Sequence, residues 1–140
     1  MRKGALCYAL DVVRIDDLKA IVEPYAWLDA LVVFGSHARG TARSSSDLDL
    51  GYLGTPPGSL LELEGTLGLQ MRRDVDLVSL QNPGVTFAFE IARTGKLVFE
   101  RRPGAWTRWQ AEACIRYDEM RPFMERGRRV YLAAVARGAR

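Results

Sequence analysis

The sequence predicts an α/β fold, in which a mixed β-sheet of about four strands carries helices packed on it. Three observations lead to this prediction. Short apolar runs alternate with segments of helical periodicity, one of these runs alternates strictly with period two, and the predicted order α-β-β-α-β-α-β-α contains both hairpin-type and crossover connections. With 140 residues and no internal repeat, we expect a single domain over residues 1–140, with a core at about 15–101 and a C-terminal amphipathic helix at about 104–137.

The first elements are a helix and a strand. Residues from Asp16 to about Tyr25 have a helical pattern that stops near Pro24. The segment LDALVVFG then predicts a buried strand that ends at Gly35. Helix followed by strand is therefore the opening unit of the predicted domain.

The next strand carries the strongest local signal. From Ser46, the stretch SDLDLGYLG alternates with period two. One face holds Asp47, Asp49 and Gly51, and the other holds Leu48, Leu50 and Tyr52. Because Gly51 has no side chain, we expect it to leave room for a ligand beside the aspartates.

The second half of the chain continues the alternation. Its segments are a loop at 56–58, a leucine-rich helix from about 60 to 67, a strand over 72–80, a short helix over 85–95 and a strand over 96–100. A long amphipathic helix follows from Trp106, with Pro122 and Gly127 as candidate interruptions. Trp106 and Trp109 are three residues apart and are expected to dock this helix onto the sheet. The aromatic residues of the domain, Phe34 and Phe87 among them, are expected in the core.

The chain has a net charge of +3, but the charge is distributed unevenly. Residues 1–100 carry 10 Lys or Arg against 13 Asp or Glu, whereas residues 101–140 carry 10 Arg against 4 acidic residues. This basic end is either a solvated helix face or a surface that binds a partner or phosphate. Since only Tyr117, Phe123 and Tyr131 interleave its arginines, we do not expect stable nucleic-acid binding.

The composition also leads to expectations about where the protein is located and whether it forms oligomers. Cys7 and Cys114 have no metal-ligand spacing, so we expect reduced thiols in a cytoplasmic protein. The apolar stretch near the start is interrupted by Asp11 and is followed by no cleavage signal, and no run is long enough to span a bilayer. Apolar residues of the last helix, such as Val130 and Leu132, are expected to pack internally or to form a homo-oligomer.

Carboxylates on predicted strands indicate a metal site. Asp47 and Asp49 lie on one face with Cα atoms roughly 6.5 to 7 Å apart, so both can reach one hard divalent cation such as magnesium. Burying them without compensating charge would be costly. Asp76 is the preferred third ligand because it lies deeper in an apolar run, and Asp74, on the same face, is the competing choice.

The loop between the first two strands has the chemistry of a phosphate site. Gly35 lets the backbone turn without a side chain, so that the Ser36 hydroxyl and the following N–H groups can approach phosphate oxygens. Arg39 and Arg43 add planar, permanently charged donors suited to phosphate. The sequence thus predicts a phosphate-binding turn next to the metal site.

Residues 35–50, GSHARGTARSSSDLDL, resemble the signature of the nucleotidyltransferase superfamily that includes DNA polymerase beta. They match every fixed position of the minimal nucleotidyltransferase pattern G-S-x-A-R-G-x-A-x-x-x-S-D-x-D-L. A weaker resemblance continues through VDLVSL, EIARTGKLVFE and RYDEMRPFMERGRRVYL. The resemblance implies a polymerase beta-like nucleotidyltransferase fold for most of the chain.

The resemblance also implies roles for the site residues. Asp47 and Asp49 would bind two magnesium ions together with a triphosphate, most simply ATP, and Asp76 would ligate the ion that activates the acceptor hydroxyl. Gly35 and Ser36 would hold the β and γ phosphates. His37 occupies a variable position of the pattern and has no assigned role.

Finally, the resemblance implies a partner. Minimal nucleotidyltransferases of this size are typically encoded beside a small helical HEPN protein. The resemblance therefore implies an antitoxin that transfers AMP to a tyrosine of a partner HEPN toxin. Two alternatives stay open: transfer to a small hydroxylated acceptor, as in related aminoglycoside enzymes, and a non-catalytic module that neutralises a partner by contact. A purely steric binder has no need of a costly carboxylate cluster, which argues against the second alternative.

Overall fold

The computed structural model describes residues 15–43 and 45–138, which form five helices and four strands. The elements are, in chain order, α1 (Ile15–Val22), β1 (Leu28–Phe34), α2 (Gly35–Arg39), β2 (Leu48–Gly54), α3 (Leu61–Met71), β3 (Val75–Ser79), α4 (Val85–Thr94), β4 (Lys96–Glu100) and α5 (Ala105–Gly138). The predicted order is confirmed, with one addition. The five-residue helix α2 lies in the segment that the sequence analysis assigned to a loop.

The four strands form one mixed sheet in the order β3-β2-β1-β4. Strand β1 pairs antiparallel with β2 and β4, whereas β2 and β3 are parallel. In this register Phe34 pairs with Asp49, and Asp49 pairs with Asp76. The end of β1 and the starts of β2 and β3 therefore meet at the same edge of the sheet.

Each face of the sheet has its own apolar core. The face formed by Leu48, Leu50 and Tyr52 is buried, as the alternation predicted, and packs against α1 and α3. The side chains of this core include Leu18, Val22, Leu31, Val33, Leu63, Leu67, Met71 and Val98. The opposite face packs against α4 and α5 through Val32, Phe34, Leu80, Ile91 and Trp106. The aspartate face is thus covered by helices that follow β3.

Two tryptophans anchor the start of α5 to the sheet, as predicted. Trp106 is buried, and its ring stacks on that of Trp109 with centroids 5.3 Å apart. The indole N–H of Trp109 donates a hydrogen bond to the Leu80 carbonyl at 2.6 Å. Beyond this anchor the helix runs through Pro122 and Gly127 without a break, so neither residue interrupts it. The expected internal packing of Val130 and Leu132 is wrong, because both are exposed.

The remaining composition-based predictions are tested only in part. Cys114 is half-buried and forms no disulfide with any described residue, whereas Cys7 and Asp11 lie outside the described residues. No helix within residues 15–43 and 45–138 combines the length and apolar character needed to cross a bilayer.

Arg101 ties the end of β4 to the segment between α1 and β1. Its guanidinium donates hydrogen bonds to the carbonyls of Glu23 at 2.6 Å, Leu28 at 3.1 Å and Tyr25 at 3.4 Å. Several donors in a fixed planar fork can satisfy several carbonyls at once, which a lysine ammonium cannot reproduce in the same geometry. Arg101 therefore fixes the entry into the central strand.

We expect Arg101→Ala to lower the free energy of unfolding by about 2 kcal/mol, because hydrogen bonds from charged donors contribute about 1.5–3 kcal/mol. Urea denaturation followed by circular dichroism measures the change. Arg102→Ala, at the exposed neighbouring position, is the control and should change the free energy by less than about 0.5 kcal/mol. Equal losses in both variants would contradict the assigned role of Arg101.

Candidate active site

The site begins where β1 ends, at Gly35. This residue has φ +71°, in the left-handed region that favours glycine. A Cβ placed there would overlap Oδ2 of Asp49 and lie 3.3 Å from its Cγ. Glycine is required here for two reasons, because of the backbone conformation and because the Asp49 carboxylate occupies the space of a side chain.

Negative charge accumulates around Asp49, which is half-buried. Burial raises the pKa of Asp49, and the nearby charges of Asp76 and Asp47 raise it further. His37 and Arg39 oppose this effect more weakly. The site therefore favours a positive charge at this edge of the sheet.

The structure also separates the two candidates for the third carboxylate. Asp76 stands beside Asp49 in the parallel register of β2 and β3, and its charge acts on Asp49. Asp74 lies just before β3, where its backbone carbonyl accepts a hydrogen bond from the Leu48 N–H at 2.8 Å, and its charge is not among those that shift the pKa of Asp49. The geometry favours Asp76, and its role as a ligand stays a prediction.

The predicted convergence of three carboxylates on one point is not met by the side chains as they stand. Within the described ranges, no group of three or more His, Cys, Asp or Glu side chains lies close enough to hold a metal ion. Asp47 precedes β2 and is exposed, so the sheet does not fix its side chain. The donors nevertheless suit magnesium, which prefers carboxylate oxygens, and the charge repulsion on Asp49 is the kind that a cation relieves.

The predicted phosphate-binding residues occupy the short helix α2 and the loop after it. Ser36 lies in the first turn of α2, whose start has no side-chain cap. Its carbonyl accepts a hydrogen bond from the Thr41 N–H at 3.0 Å, which closes the turn. Arg39 is exposed and its charge reaches Asp49, whereas Arg43 is exposed and is not among the charges that act on Asp49. The structure thus brings the positive charge of Arg39 to Asp49.

His37 is a part of the site to which the sequence analysis gave no role. It is the one buried polar or charged residue of the described chain, with 1% of its surface exposed. Arg73 donates a hydrogen bond to its Nε2 at 3.1 Å and another to the Ser46 carbonyl at 3.4 Å. Burial lowers the pKa of His37, the Ser46 carbonyl raises it and the Arg73 charge lowers it. A neutral His37 therefore joins α2 to the loop that leads to Asp47.

Two contacts converge on Nε2 of His37. It accepts from the Arg73 guanidinium at 3.1 Å when it carries no proton, and it donates to the Ser46 carbonyl at 3.4 Å when it is protonated. Nδ1 is buried and has no hydrogen-bond partner among the described residues. No periodicity or motif in the sequence signals this arrangement, because it depends on Arg73, which is 36 residues away along the chain.

Two expectations about neighbouring residues are wrong. The space above Gly51 is filled by Leu80, whose side-chain atoms lie 2.8–3.0 Å from the position of an added Cβ, so it leaves no room for a ligand. Phe87 is 43% exposed and not part of the core. Its ring contacts the Phe34 ring edge to face, with centroids 5.6 Å apart. An exposed aromatic side chain therefore lies next to the end of β1.

An open cleft of about 730 Å³ adjoins the carboxylates between α3 and the start of β3. Gly65 and Gly68 contribute no side chain to the α3 side of this cleft, and Leu69 adds an exposed apolar group there. The charged residues of its lining are Asp47, Glu64, Asp74, Asp76 and Arg73. The cleft is acidic, and it gives a second molecule access to Asp76.

The family model described as Polymerase beta, Nucleotidyltransferase matches residues 16–103 of the chain. No curated protein matches the chain in sequence.

Several solved structures resemble the chain over most of its length. One, of a toxin-antitoxin with AMP-PNP, aligns with a TM-score of 0.68 at 19% identity over 89% of this chain and 99% of that chain. Another, of a tri-AMPylated HEPN toxin from Shewanella oneidensis in complex with its MNT antitoxin, has a TM-score of 0.61 at 17% identity over 87% and 95%. A third, of the toxin-antitoxin MntA-HepT, has a TM-score of 0.60 at 17% identity over 87% and 96%. At these identities the likeness establishes the fold, which is the predicted polymerase beta-like nucleotidyltransferase fold.

We expect Gly35→Ala to lower the free energy of unfolding by about 3 kcal/mol, because it adds overlap with Asp49 to the cost of a left-handed φ. Gly40→Ala is a matched control, since Gly40 has φ +74° and no atom within 4 Å of an added Cβ. It should lose only about 1 kcal/mol. Urea denaturation measures both, and similar losses would show that the Asp49 contact does not constrain Gly35.

We expect Asp49→Asn to stabilise the metal-free protein at neutral pH. The pKa of Asp49 is higher in the folded chain than its ordinary value of 3.8, so its ionisation favours the unfolded state. The advantage of the variant should be complete above the folded pKa and should vanish as the pH falls through 3.8, where the wild-type carboxyl is protonated in both states. Thermal denaturation in chelator across this pH range measures it. Asp74→Asn is the control, and a wild-type protein as stable as Asp49→Asn at pH 7 would contradict the charge repulsion.

Proposed function

Because the chain belongs to the polymerase beta nucleotidyltransferase family, we propose that it transfers AMP from ATP to a hydroxyl group of a partner protein. The observation that carries this proposal is the contact of the Asp49 carboxylate with Gly35, with Asp76 beside it in register. This arrangement combines an uncapped helix start, suited to phosphate oxygens, with carboxylates suited to magnesium. Both belong to one sheet edge, where a metal-bound triphosphate fits.

The partner that we propose is a HEPN toxin, with this chain as its antitoxin and a tyrosine as the acceptor. Support comes from the similar structures, one of which contains AMP-PNP and another a tri-AMPylated HEPN toxin with an MNT antitoxin. We place the reaction in the cytoplasm, which supplies ATP and magnesium. The likeness in fold extends over almost the whole length of those chains.

In the proposed reaction, the acceptor hydroxyl attacks the α-phosphorus of ATP. A bond forms between the acceptor oxygen and that phosphorus, the bond to the bridging oxygen of the β phosphate breaks, and pyrophosphate leaves. Two magnesium ions, when bound by Asp47, Asp49 and Asp76, would neutralise the phosphates and stabilise the attacking and leaving oxygens. The chain itself supplies positioning and charge.

The positions of the residues suggest which of them bind the phosphates and which face the acceptor. Gly35 and Ser36 hold the β and γ phosphates at the start of α2, and Arg39 adds a positive charge there. Asp76 is exposed and lines the cleft next to α3, so it is on the side from which the acceptor approaches. We assign Asp76 the hydroxyl proton, since a carboxylate on that side can accept it.

The acidic cleft favours one second candidate, which is transfer to a small cationic acceptor with hydroxyl groups, such as an aminoglycoside. Four carboxylates, that of Asp76 among them, and one arginine line the cleft. A cationic small molecule would be attracted to such a lining. Transfer of label to an aminoglycoside in the absence of any protein partner would identify this candidate.

We expect the purified chain, given α-labelled ATP, magnesium and the product of the neighbouring gene, to label that protein. The double variant Asp47→Ala/Asp49→Ala should lower the initial rate by about 1,000-fold or more, because it removes carboxylates that position the triphosphate. Asp76→Asn should lower it by about 100-fold, since removing a positioned proton acceptor costs about 100- to 10,000-fold.

Asp74→Asn is the matched control, because it makes the same change two residues away, and its rate should stay within about threefold of wild type. If the rate of Asp74→Asn is as low as that of Asp76→Asn, the assignment of Asp76 as the third carboxylate is wrong. If none of the four nucleoside triphosphates gives label while a stable complex forms, the chain acts by contact and the catalytic proposal fails.

A further inference from the structure

Helix α5 carries one continuous stripe of apolar and small residues, spaced by three or four positions. We call it the seam, and its members are Ala113, Tyr117, Met120, Met124, Gly127, Tyr131 and Val135. This spacing keeps side chains on one side of a helix and is the pattern by which two helices pack along their length. The seam therefore requires another helix along all of it.

Helix α4 contacts only the first half of the seam, in which Met120 is 42% exposed. Near its start, Ala113 is buried against Ala88 and Ala92. The ring of Tyr117 then stacks on that of Phe89 with centroids 3.9 Å apart. The Thr86 hydroxyl contacts the Met124 sulfur at 3.8 Å. Thr86 is the second residue of α4, so the contact between α4 and α5 ends at Met124.

Beyond Met124, every described residue of α5 is exposed. Residues 125–138 correspond to roughly 20 Å of helix at 1.5 Å per residue. Tyr131 is 67% exposed and Val135 is 46% exposed, although both continue the line that α4 covers. We call Gly127, Tyr131 and Val135 the distal seam. Val130 and Leu132, beside it, are also exposed.

The charge of this part of α5 restricts what can cover it. Residues 121–138 hold five arginines and one glutamate. A second copy packed on the distal seam would bring two such strongly basic segments together, which is unfavourable. A helix with an apolar stripe bordered by aspartate and glutamate complements both the apolar line and the charge.

Met124, which precedes the distal seam, is linked to the strand end that bears the site. It contacts Thr86, and the neighbouring Phe87 packs against Phe34. Phe34 directly precedes Gly35 and pairs with Asp49. The start of α4 therefore lies between the residue that precedes the distal seam and the end of β1.

We propose that the distal seam binds an acidic, amphipathic helix of the acceptor protein and so holds that protein beside the nucleotide. This inference rests on the proposed function, because it assigns the helix to the protein that receives AMP. The site supplies the chemistry, and the distal seam supplies most of the affinity for the acceptor. Both functions are thereby separable by mutation.

The test uses the full chain and the purified product of the neighbouring gene as the acceptor protein. Tyr131→Glu/Val135→Glu puts two negative charges in the distal seam, and Ala133→Glu/Ala136→Glu puts the same charges on the opposite side of the helix. We expect the seam variant to raise the dissociation constant at least about tenfold, and the control variant less than about threefold. In transfer assays the seam variant should raise the KM for the protein acceptor and leave kcat and ATP binding unchanged. Higher salt should weaken the wild-type complex.

The outcomes separate this inference from the proposed function. Transfer to the acceptor with an unchanged KM in the seam variant overturns the docking surface and leaves the proposed function intact. If only the seam substitutions weaken the complex and the wild-type chain transfers no AMP, the proposed function is overturned and the docking surface is retained. Two further results overturn the inference: a dimer of this chain that the seam substitutions dissociate, or tight seam-dependent binding of a labelled 20-nucleotide RNA together with unchanged affinity for the acceptor protein.

Discussion

The Asp49 carboxylate lies against the backbone of Gly35, and the rest of the site depends on this contact. It requires a residue without a side chain at the end of β1, in a left-handed conformation that begins α2 directly. It also requires that β1 and β2 run antiparallel, so that the last residue of one strand faces the second residue of the other. The parallel pairing of β3 then adds Asp76 beside Asp49. The order of the strands, the glycine at position 35 and the carboxylates of Asp49 and Asp76 therefore depend on one another.

This constraint has an electrostatic cost. Burial and two like charges raise the pKa of Asp49, so the folded chain holds the ionised carboxylate less favourably than water does. The apolar cores on both faces of the sheet offset this cost. A region destabilised by its own charges is the expected property of a site that binds a cation together with an anionic ligand.

Helix α5 shows a division of a different kind. Its first half belongs to the domain, because Trp106 and Trp109 fix it to the sheet and α4 covers its apolar side. Its second half has the same apolar spacing, but residues 125–138 have no cover within the described chain. A helix that keeps this pattern beyond its own domain adds exposed apolar area without internal stabilisation. Such a surface is explained by a partner more readily than by the fold.

The sequence by itself determined the elements and the chemistry, since both are local. Period-two alternation predicted β2 and its buried face, glycine and proline positions predicted the ends of elements, and the residues 35–50 predicted the turn and the aspartates next to it. Only the tertiary structure decided which residues meet. The register of two parallel strands placed Asp76 beside Asp49, Leu80 filled the space above Gly51, and Arg73 contacts His37 from a segment 36 residues away. Similarly, the helical pattern of α5 predicted an apolar side. The short length of α4 decided at which residue the contact with that side ends. Periodicity fixes the direction of a side chain relative to its own helix or strand, whereas its neighbours depend on how distant segments pack, which no local pattern encodes.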